Sequence, residues 1–434
     1  MKIIYLGNHL KIEIGLQIIN KFRGEFILMR FAIYSGTFKK NQDGVARATY
    51  ELVDSLLKRH HRILLGAPMI TPQKRKGLKL VEVPSIPFNF YPDYRCALPS
   101  IKFYRELDEF QPDLIHIATP DLMGLLTLVY AKRRNIPVVF IHHTDFQSYM
   151  KYFQVDWLVK TMWPAMVAVY NKALNVFAPT QQYVDLLQHK GVKHVDIWSR
   201  GIDRNQFNPK YRSQTLRKQW GAENKKVFLF VGRLVWYKGL RTFVRLYRYF
   251  EDRLDKDIAF VLAGDGPIRS HLEKSMPKAI FTGYLEGEAL GKAYASSDVF
   301  LFPSTTETFG QVIQEALASG LPVIVSDKGG CQEIVKTSNG GIIVPSKNMT
   351  EWKRACEIML TDAEQYHKFR EAGLKYAKER SWEKVNGKLI EKYENYALLW
   401  NRMQRFNRYF PIQEKIEYLR SVTHDFSNWS FSRI

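Results

Sequence analysis

The sequence predicts an α/β protein built from two doubly wound domains, and three observations carry that expectation. From Met29 onward, short β-branched and aromatic runs alternate with longer segments of helical periodicity, the pattern of parallel β-α units. The alternation stops at a polar stretch, Lys210 to Lys226, and then resumes. A chain of 434 residues, at roughly 100 to 200 residues per domain, has room for two or three cores.

The elements follow in order. Strands are expected at Phe31–Tyr34, Arg62–Leu65, Leu114–Ile117, Val138–Ile141 and Asn175–Phe177. Between the first two lies a helix, Ala46 to Arg59, whose Ala48, Leu52, Leu56 and Leu57 recur at helical spacing. The second series places strands at Val227–Val231, Ala259–Ala263, Ile280–Phe281, Val299–Phe302, Pro322–Val325 and Gly341–Val344. A last helix is expected around Val385–Arg402, followed by an aromatic and basic tail; such a helix packs back across the hinge in many two-domain proteins of this class. The expected division is an appendage at 1–28, a first domain at 29–215, a second at 216–380, and a crossover helix with extension at 381–434. No repeat of 20–50 residues is visible, which excludes a solenoid or propeller.

Composition narrows the function classes. With 46% hydrophobic and 25% charged residues the chain is neither collagen-like nor low-complexity. Cys96, Cys331 and Cys356 are scattered without a C-x-x-C pair or a histidine partner, so neither a disulfide framework nor a zinc site is encoded, and a cytoplasmic setting is expected. The most apolar segment, Trp157 to Tyr170, is interrupted by Lys160 and Pro164 and falls short of the roughly 18 apolar residues of a membrane span. Residues 1–28 lack a secretory pattern.

The formal net charge is +21, and residues 1–225 hold 33 basic against 18 acidic side chains. A one-sided positive field suits an anionic membrane, an anionic substrate or nucleic acid, and equally a solvated surface kept for solubility. No helix-turn-helix, RNA-binding or zinc-finger pattern accompanies it, so no nucleic-acid partner is expected.

Ligands of open α/β sheets bind in loops beyond the carboxyl ends of the strands. The loop from Gly36 to Val45 is not G-x-G-x-x-G, which argues against a dehydrogenase, but Gly44 at the helix start would let a phosphate approach free backbone N–H groups. Taken alone it is a turn. Gly232-Arg233 and Lys238-Gly239 bracket a tight loop, where Arg233 and Lys238 can converge on one diphosphate; as isolated residues they read equally well as surface cations. Gly264-Asp265-Gly266-Pro267 ends the next strand, with a simple turn as the plainer reading.

The strongest stretch runs from Val299 to Ser319. A buried strand ends at Pro303, and Glu307 and Glu315 then flank a helix start whose Thr308, Phe309 and Gly310 amides have no intrahelical acceptor. The amides suit phosphate or sugar oxygens, and the carboxylates suit hydroxyl groups; a helix-start acid and a solvated helix residue are the plain alternative. Finally, His142-His143-Thr144-Asp145 closes a first-half strand, placing a histidine where it could act as acid, base or sugar ligand.

Taken together, Glu307 to Glu315 with Ala318-Ser319-Gly320-Leu321-Pro322, the Gly232 to Gly239 loop, Gly264 to Pro267, and Trp198-Ser199-Arg200-Gly201-Ile202-Asp203 resemble the retaining, nucleotide-sugar-dependent glycosyltransferases of family 4. The resemblance covers Met29 to about Arg402 and implies the GT-B fold, two Rossmann-like domains facing a central cleft. It implies that Arg233 and Lys238 hold the donor diphosphate. Glu307 with the Thr308, Phe309 and Gly310 amides would hold the sugar, and Glu315 the ribose. Gly44 and Gly264 would belong to the donor site, and His143 would lie near the reacting sugar. Catalytic roles are thus expected of His143, Arg233, Lys238 and Glu307, with no cofactor and no metal. Trp236-Tyr237 and Gln42-Asp43-Gly44 depart from the family's commoner forms.

Asp43-Gly44-Val45-Ala46-Arg47 and His143-Thr144-Asp145-Phe146 resemble the branch of lipid-linked mannosyltransferases and sulfolipid synthases. The implied acceptor is a glycerolipid or glycolipid at the inner membrane face. Tyr149 to Phe153 with Trp157, Lys160, Met162, Trp163, Met166 and Tyr170 would suit an interfacial helix, or a core helix with a polar edge. The alternatives are a soluble or oligosaccharide acceptor, a sugar-nucleotide epimerase, or a non-catalytic binding module of the same fold.

Overall fold

The computed structural model describes residues 28–39, 44–87, 95–143 and 157–406, with 157–161 and 402–406 described by backbone alone. Residues 1–27, the Gln42-Asp43 pair, Thr144 to Phe153 and the tail beyond Phe406 therefore lie outside the described residues. In chain order the strands are β1 (Arg30–Tyr34), β2 (Arg62–Ala67), β3 (Leu78–Glu82), β4 (Ser85–Pro87), β5 (Arg95–Ala97), β6 (Leu114–Ile117), β7 (Val138–Ile141), β8 (Asn175–Ala178) and β9 (Val195–Ile197). They continue as β10 (Lys226–Val231), β11 (Ile258–Ala263), β12 (Ile280–Gly283), β13 (Val299–Phe302), β14 (Val323–Ser326) and β15 (Gly341–Val344). The helices that bear on the site are α1 (Gly44–Lys58), α2 (Trp157–Tyr170), α3 (Gln311–Ala318), α4 (Cys331–Ser338) and α5 (Trp382–Phe406).

Two parallel sheets form, one with seven strands in the order β3-β2-β1-β6-β7-β8-β9 and one with six in the order β12-β11-β10-β13-β14-β15. Each winds outward in both directions from its first strand, so a switch point opens between β1 and β6 and another between β10 and β13. Such crevices are where open α/β sheets bind ligands. The central strands are buried along their whole length because helices cover both faces; Val227 to Val231 and Val299 to Phe302 are continuous apolar runs for that reason.

The edges of the first sheet lack that mark, whereas β12 and β15, the edges of the second, form where the sequence predicts them. In β3 only Val81 is buried, and β9 is three residues with an aspartate at its centre, so neither carries the run of apolar residues that marks a central strand. The antiparallel β4–β5 pair also went unanticipated.

Helix α2 forms as expected, with Pro164 inside it, but its aromatic face turns inward. Trp163, Met166 and Tyr170 are 7%, 9% and 1% exposed and belong to the core beneath β7 and β8. The interfacial role expected for these residues is thereby corrected, since their side chains are already covered by protein.

Helix α5 returns to the first domain. Trp382, Leu389, Ile390, Tyr393 and Trp400 join Met29, Phe31, Val139 and Leu174 in one apolar cluster. Three polar pairs form across the same contact: Tyr393 Oη bonds His116 Nδ1 (2.9 Å), Trp198 Nε1 donates to Asn386 Oδ1 (3.1 Å), and Trp400 Nε1 donates to the Asn135 carbonyl (2.7 Å). The chain leaves and re-enters the first domain at one place, where Ile202 and Ser381 form a parallel bridge and Ile202 N donates to Arg380 O (2.8 Å).

Candidate active site

Both switch points open into one cleft. On the second-domain side, β10 is followed directly by Gly232, and a 3-10 turn, Trp236–Lys238, brings the lysine back toward the end of β13. The approach is close: a Cβ on Gly264 would lie 2.0 Å from the Gly232 carbonyl oxygen, so these two loops pack backbone to backbone. After β13, Gly310 caps α3 with φ of +88°, a conformation that side chains disfavour, and a Cβ there would also strike Cys331 Sγ at 2.4 Å. The tight turn leaves the first amides of α3 pointing into the cleft without intrahelical acceptors.

Two carboxylates stand at this turn in different settings. Glu307 pairs through Oε1 with Lys238 Nζ, and Ser304 Oγ donates to the same oxygen (3.3 Å). Glu315 lies eight residues further on, about one turn into α3, and is only 5% exposed. Its Oε1 pairs with Arg47 of α1, in the other domain, and its Oε2 accepts from Tyr294 Oη (3.0 Å). Burial raises the Glu315 carboxyl above its ordinary range, while Arg47 and the Tyr294 hydroxyl pull it back. The solvated helix residue considered from the sequence is thus a buried carboxylate with one protein partner on each oxygen.

From the first domain, β7 delivers His142 and His143. His142 is buried, with Nδ1 3.2 Å from Tyr170 Oη, so it belongs to the core. His143 meets the cleft. Its carbonyl accepts from Thr308 Oγ1 (3.0 Å), which joins the two domains, and its Nδ1 lies 2.7 Å from Arg200 Nη2. Burial, and then the Arg200 charge, hold the imidazole well below its ordinary pKa. The described partner of His143 is a cation, and Asp145, two residues on in the sequence, lies outside the described residues.

The structure gathers Gly44, His143, Lys238, Glu307, Thr308, Phe309 and Gly310 around one cavity of about 180 Å³. Arg200 and Gly232 line it as well. Arg233, Gly264 and Glu315 are not among its lining residues: Arg233 is half-buried beside Gly232, Gly264 supports that loop from behind, and Glu315 faces Arg47 and Tyr294. A Cβ on Gly44 would meet nothing within 4 Å, so the protein itself does not demand glycine there. Among the described residues no cluster of three or more His, Cys, Asp or Glu is placed to hold a metal ion.

Sequence reasoning missed Arg47, Arg200 and Tyr294 as parts of this site. Arg47 falls one turn into α1 after Gly44, which is the only local signal it gives. Arg200 stood inside the Trp198 to Asp203 motif, but nothing in that motif announces a partner 57 residues away.

Two family models match the chain. One described as "Glycosyltransferase Family 4" matches residues 42–206, and one described as "Glycosyl transferases group 1" matches residues 212–376. Among curated relatives, the GDP-mannose-dependent alpha-mannosyltransferase of Corynebacterium glutamicum is 30% identical over 381 residues, covering 86% of this chain and 91% of that one. The alpha-monoglucosyldiacylglycerol synthase of Streptococcus pneumoniae is 27% identical, covering 68% of this chain and 70% of that one. Among solved structures, HepE of Anabaena in complex with UDP-glucose superposes with a TM-score of 0.67 at 18% identity, covering 84% of this chain and 99% of that one. At that identity the likeness is one of fold.

Proposed function

The chain belongs to the family 4 glycosyltransferases, with their GT-B fold, and from that premise we propose that it moves a hexosyl group, with retention of configuration, from a nucleotide-sugar to a hydroxyl of a glycerolipid or glycolipid. One observation carries the reading. Lys238, Glu307 and the open amides of α3 line a single cavity with Gly44 and His143 from the opposite domain, so cation, carboxylate and helix terminus converge where two domains meet.

On this reading residues 216–380 form the donor side and 29–215 the acceptor side, with the chain from 381 onward tying them together. Lys238 and Arg233 balance the charge that grows on the diphosphate as the bond to the anomeric carbon breaks. The acceptor hydroxyl oxygen bonds to that carbon from the same face, and its proton passes to the departing phosphate oxygen. Lysine has three donors, so Lys238 can keep Glu307 while meeting a phosphate. Each carboxylate oxygen accepts twice, which leaves Glu315 room for a ribose hydroxyl beside Arg47 and Tyr294. At about 180 Å³ the cavity is smaller than the roughly 300–1,000 Å³ that encloses a whole drug-sized ligand, which suits the sugar-phosphate end of the donor.

Support for a lipid acceptor comes from the relative named for a monoglucosyldiacylglycerol and from the first domain's surface. Ile86, Leu98, Ile101 and Leu122 are exposed at one end of that domain, around the β4–β5 pair, in the half of the chain that carries most of the positive charge. No helix among the described residues is long and apolar enough to cross a membrane, so contact with the inner membrane face would be peripheral.

The test is transfer of labelled hexose from GDP-mannose or UDP-glucose into lipid extract, with the anomeric configuration of the product determined. An α-linked glycolipid made from an α-linked donor is the expected product. Transfer only to soluble glycans, with no flotation on anionic vesicles at low salt, would replace the lipid acceptor with a soluble one.

A further inference from the structure

We infer that Arg200 is a positioning residue that fixes His143 as its Nε2–H tautomer, so that His143 serves as a hydrogen-bond donor to a ligand oxygen and not as a general base. The ligand part of this inference rests on the transferase reading; the tautomer part does not.

The argument starts at the 2.7 Å contact between Arg200 Nη2 and His143 Nδ1. A guanidinium has only N–H donors and keeps its proton, so Nδ1 must accept and the single ring proton of a neutral imidazole must sit on Nε2. That second nitrogen is buried, has no hydrogen-bond partner among the described residues, and belongs to a residue lining the cavity. A buried donor left open in a ligand cavity is a place prepared for an acceptor, and a sugar hydroxyl oxygen supplies one.

Arg200 is itself held in place. Its Nη1 donates to the Trp198 carbonyl (3.3 Å), and its guanidinium carbon lies 4.8 Å from the centre of the Trp198 ring. Trp198 is tied to Asn386 of α5, and the next residue, Gly201, abuts Trp382 so closely that a Cβ would come within 2.4 Å of the Trp382 Cα. The crossover helix therefore frames the arginine that orients the histidine.

A second proton on His143 is opposed from several sides. Arg200 faces Nδ1 directly, His116 and His142 lie near, and Lys238 lines the same cavity together with Glu307. Burial adds to the Arg200 effect, and Arg200 itself, though pulled down to about 10 by burial, remains charged at neutral pH. With Nδ1 occupied and Nε2 protonated, the ring has no free lone pair with which to take a proton from a substrate.

Nitrogen-15 spectra of histidine-labelled full-length protein test this without substrate, with His143→Gln assigning the resonance. The expected result is a proton on Nε2 and no titration between about pH 5 and about pH 8. A proton on Nδ1, or an ordinary titration in that interval, overturns the inference. Arg200→Met should free Nδ1 and let the ring proton populate both nitrogens, and an unchanged tautomer in that variant also overturns it. Kinetics give a second reading: His143→Gln, which keeps an N–H donor, should recover about ten-fold of the activity lost in His143→Ala. Arg200→Met should cost less in the His143→Gln background than in wild type; an equal cost in both would mean that Arg200 acts independently of the histidine. Should the wild type show the expected tautomer yet move no hexose from any nucleotide-sugar, the transferase reading fails and the tautomer assignment stands.

Discussion

The two walls of the cleft are built by different means. On the second-domain side the chemistry is local: Glu307, Thr308, Phe309 and Gly310 are consecutive, and Lys238 reaches them from the loop after the neighbouring strand. On the first-domain side Arg47, His143 and Arg200 come from three distant segments. Arg47 is fixed by Glu315, 268 residues away, and His143 by Arg200 and Thr308, 57 and 165 residues away. One wall is thus a turn with glycine at its tight points, and the other is an assembly of distant segments, completed at Arg47 and at the His143 carbonyl by the second domain. Changes on the first kind of wall should fall mainly on chemistry, and changes on the second mainly on stability and on the fit between domains.

The largest effect expected from this contrast is on turnover. Lys238→Ala should lower kcat/KM by roughly 2 to 4 kcal/mol of transition-state stabilisation, about 30- to 1,000-fold, with little change in the urea midpoint. Steady-state rates and unfolding curves on the same preparation check it, and unchanged kinetics would remove the lysine from the diphosphate.

Arg47→Ala should do the reverse, costing about 3 kcal/mol of stability because it strands a buried carboxylate. The pH dependence has a definite sign. Glu315 has its folded pKa raised above 4.5, and losing Arg47, which lowers it, raises it further. The unfolded state is common to both proteins, so the extra penalty is absent at acid pH, where Glu315 is protonated in both, and grows as pH rises through the raised folded pKa of the wild type. Urea titrations of both proteins at acid and neutral pH measure the difference; a penalty independent of pH would place its origin elsewhere.

A smaller effect is expected where the walls meet. Glu315→Gln should weaken nucleotide binding about ten-fold, read by calorimetry, if a ribose hydroxyl uses the carboxylate. Smallest is Thr308→Val, which removes one hydrogen bond to the His143 carbonyl and should cost about 1 kcal/mol in unfolding free energy. A silent Thr308→Val would mean that the two domains are aligned by their other contacts, among them Arg47 with Glu315, the Gln181 and Gln182 amides with Glu333, and the crossover.

The same contrast explains what could be read in advance. The central strands were visible because burial on both faces leaves unbroken apolar runs, as in Val299 to Phe302. The edge strand β3 and the β4–β5 pair were not, because half-exposed strands mix Lys79 and Glu82 with their apolar residues and lose that mark. At the site, the Glu307 to Gly310 turn could be seen because sequence neighbours remain neighbours in space. The engagement of Glu315 by Arg47 and of His143 by Arg200 could not, since spacing along the chain carries no information about contacts between distant segments, whether across the domains or within one. Helix α2 misled for a related reason: Trp163, Met166 and Tyr170 are as suitable for a protein core as for a lipid surface, and only the packing decides.

The bridge between Ile202 and Ser381 sets how the halves can move. A single connecting strand is a swivel, free to bend and to spin. Two strands running side by side through one place act as a door hinge: the halves can swing like the covers of a book while twisting about the connection is resisted. A substrate entering between the covers would be met each time by the same facing residues, since resisted twist would return Arg47 to Glu315 and Thr308 to the His143 carbonyl on each closing.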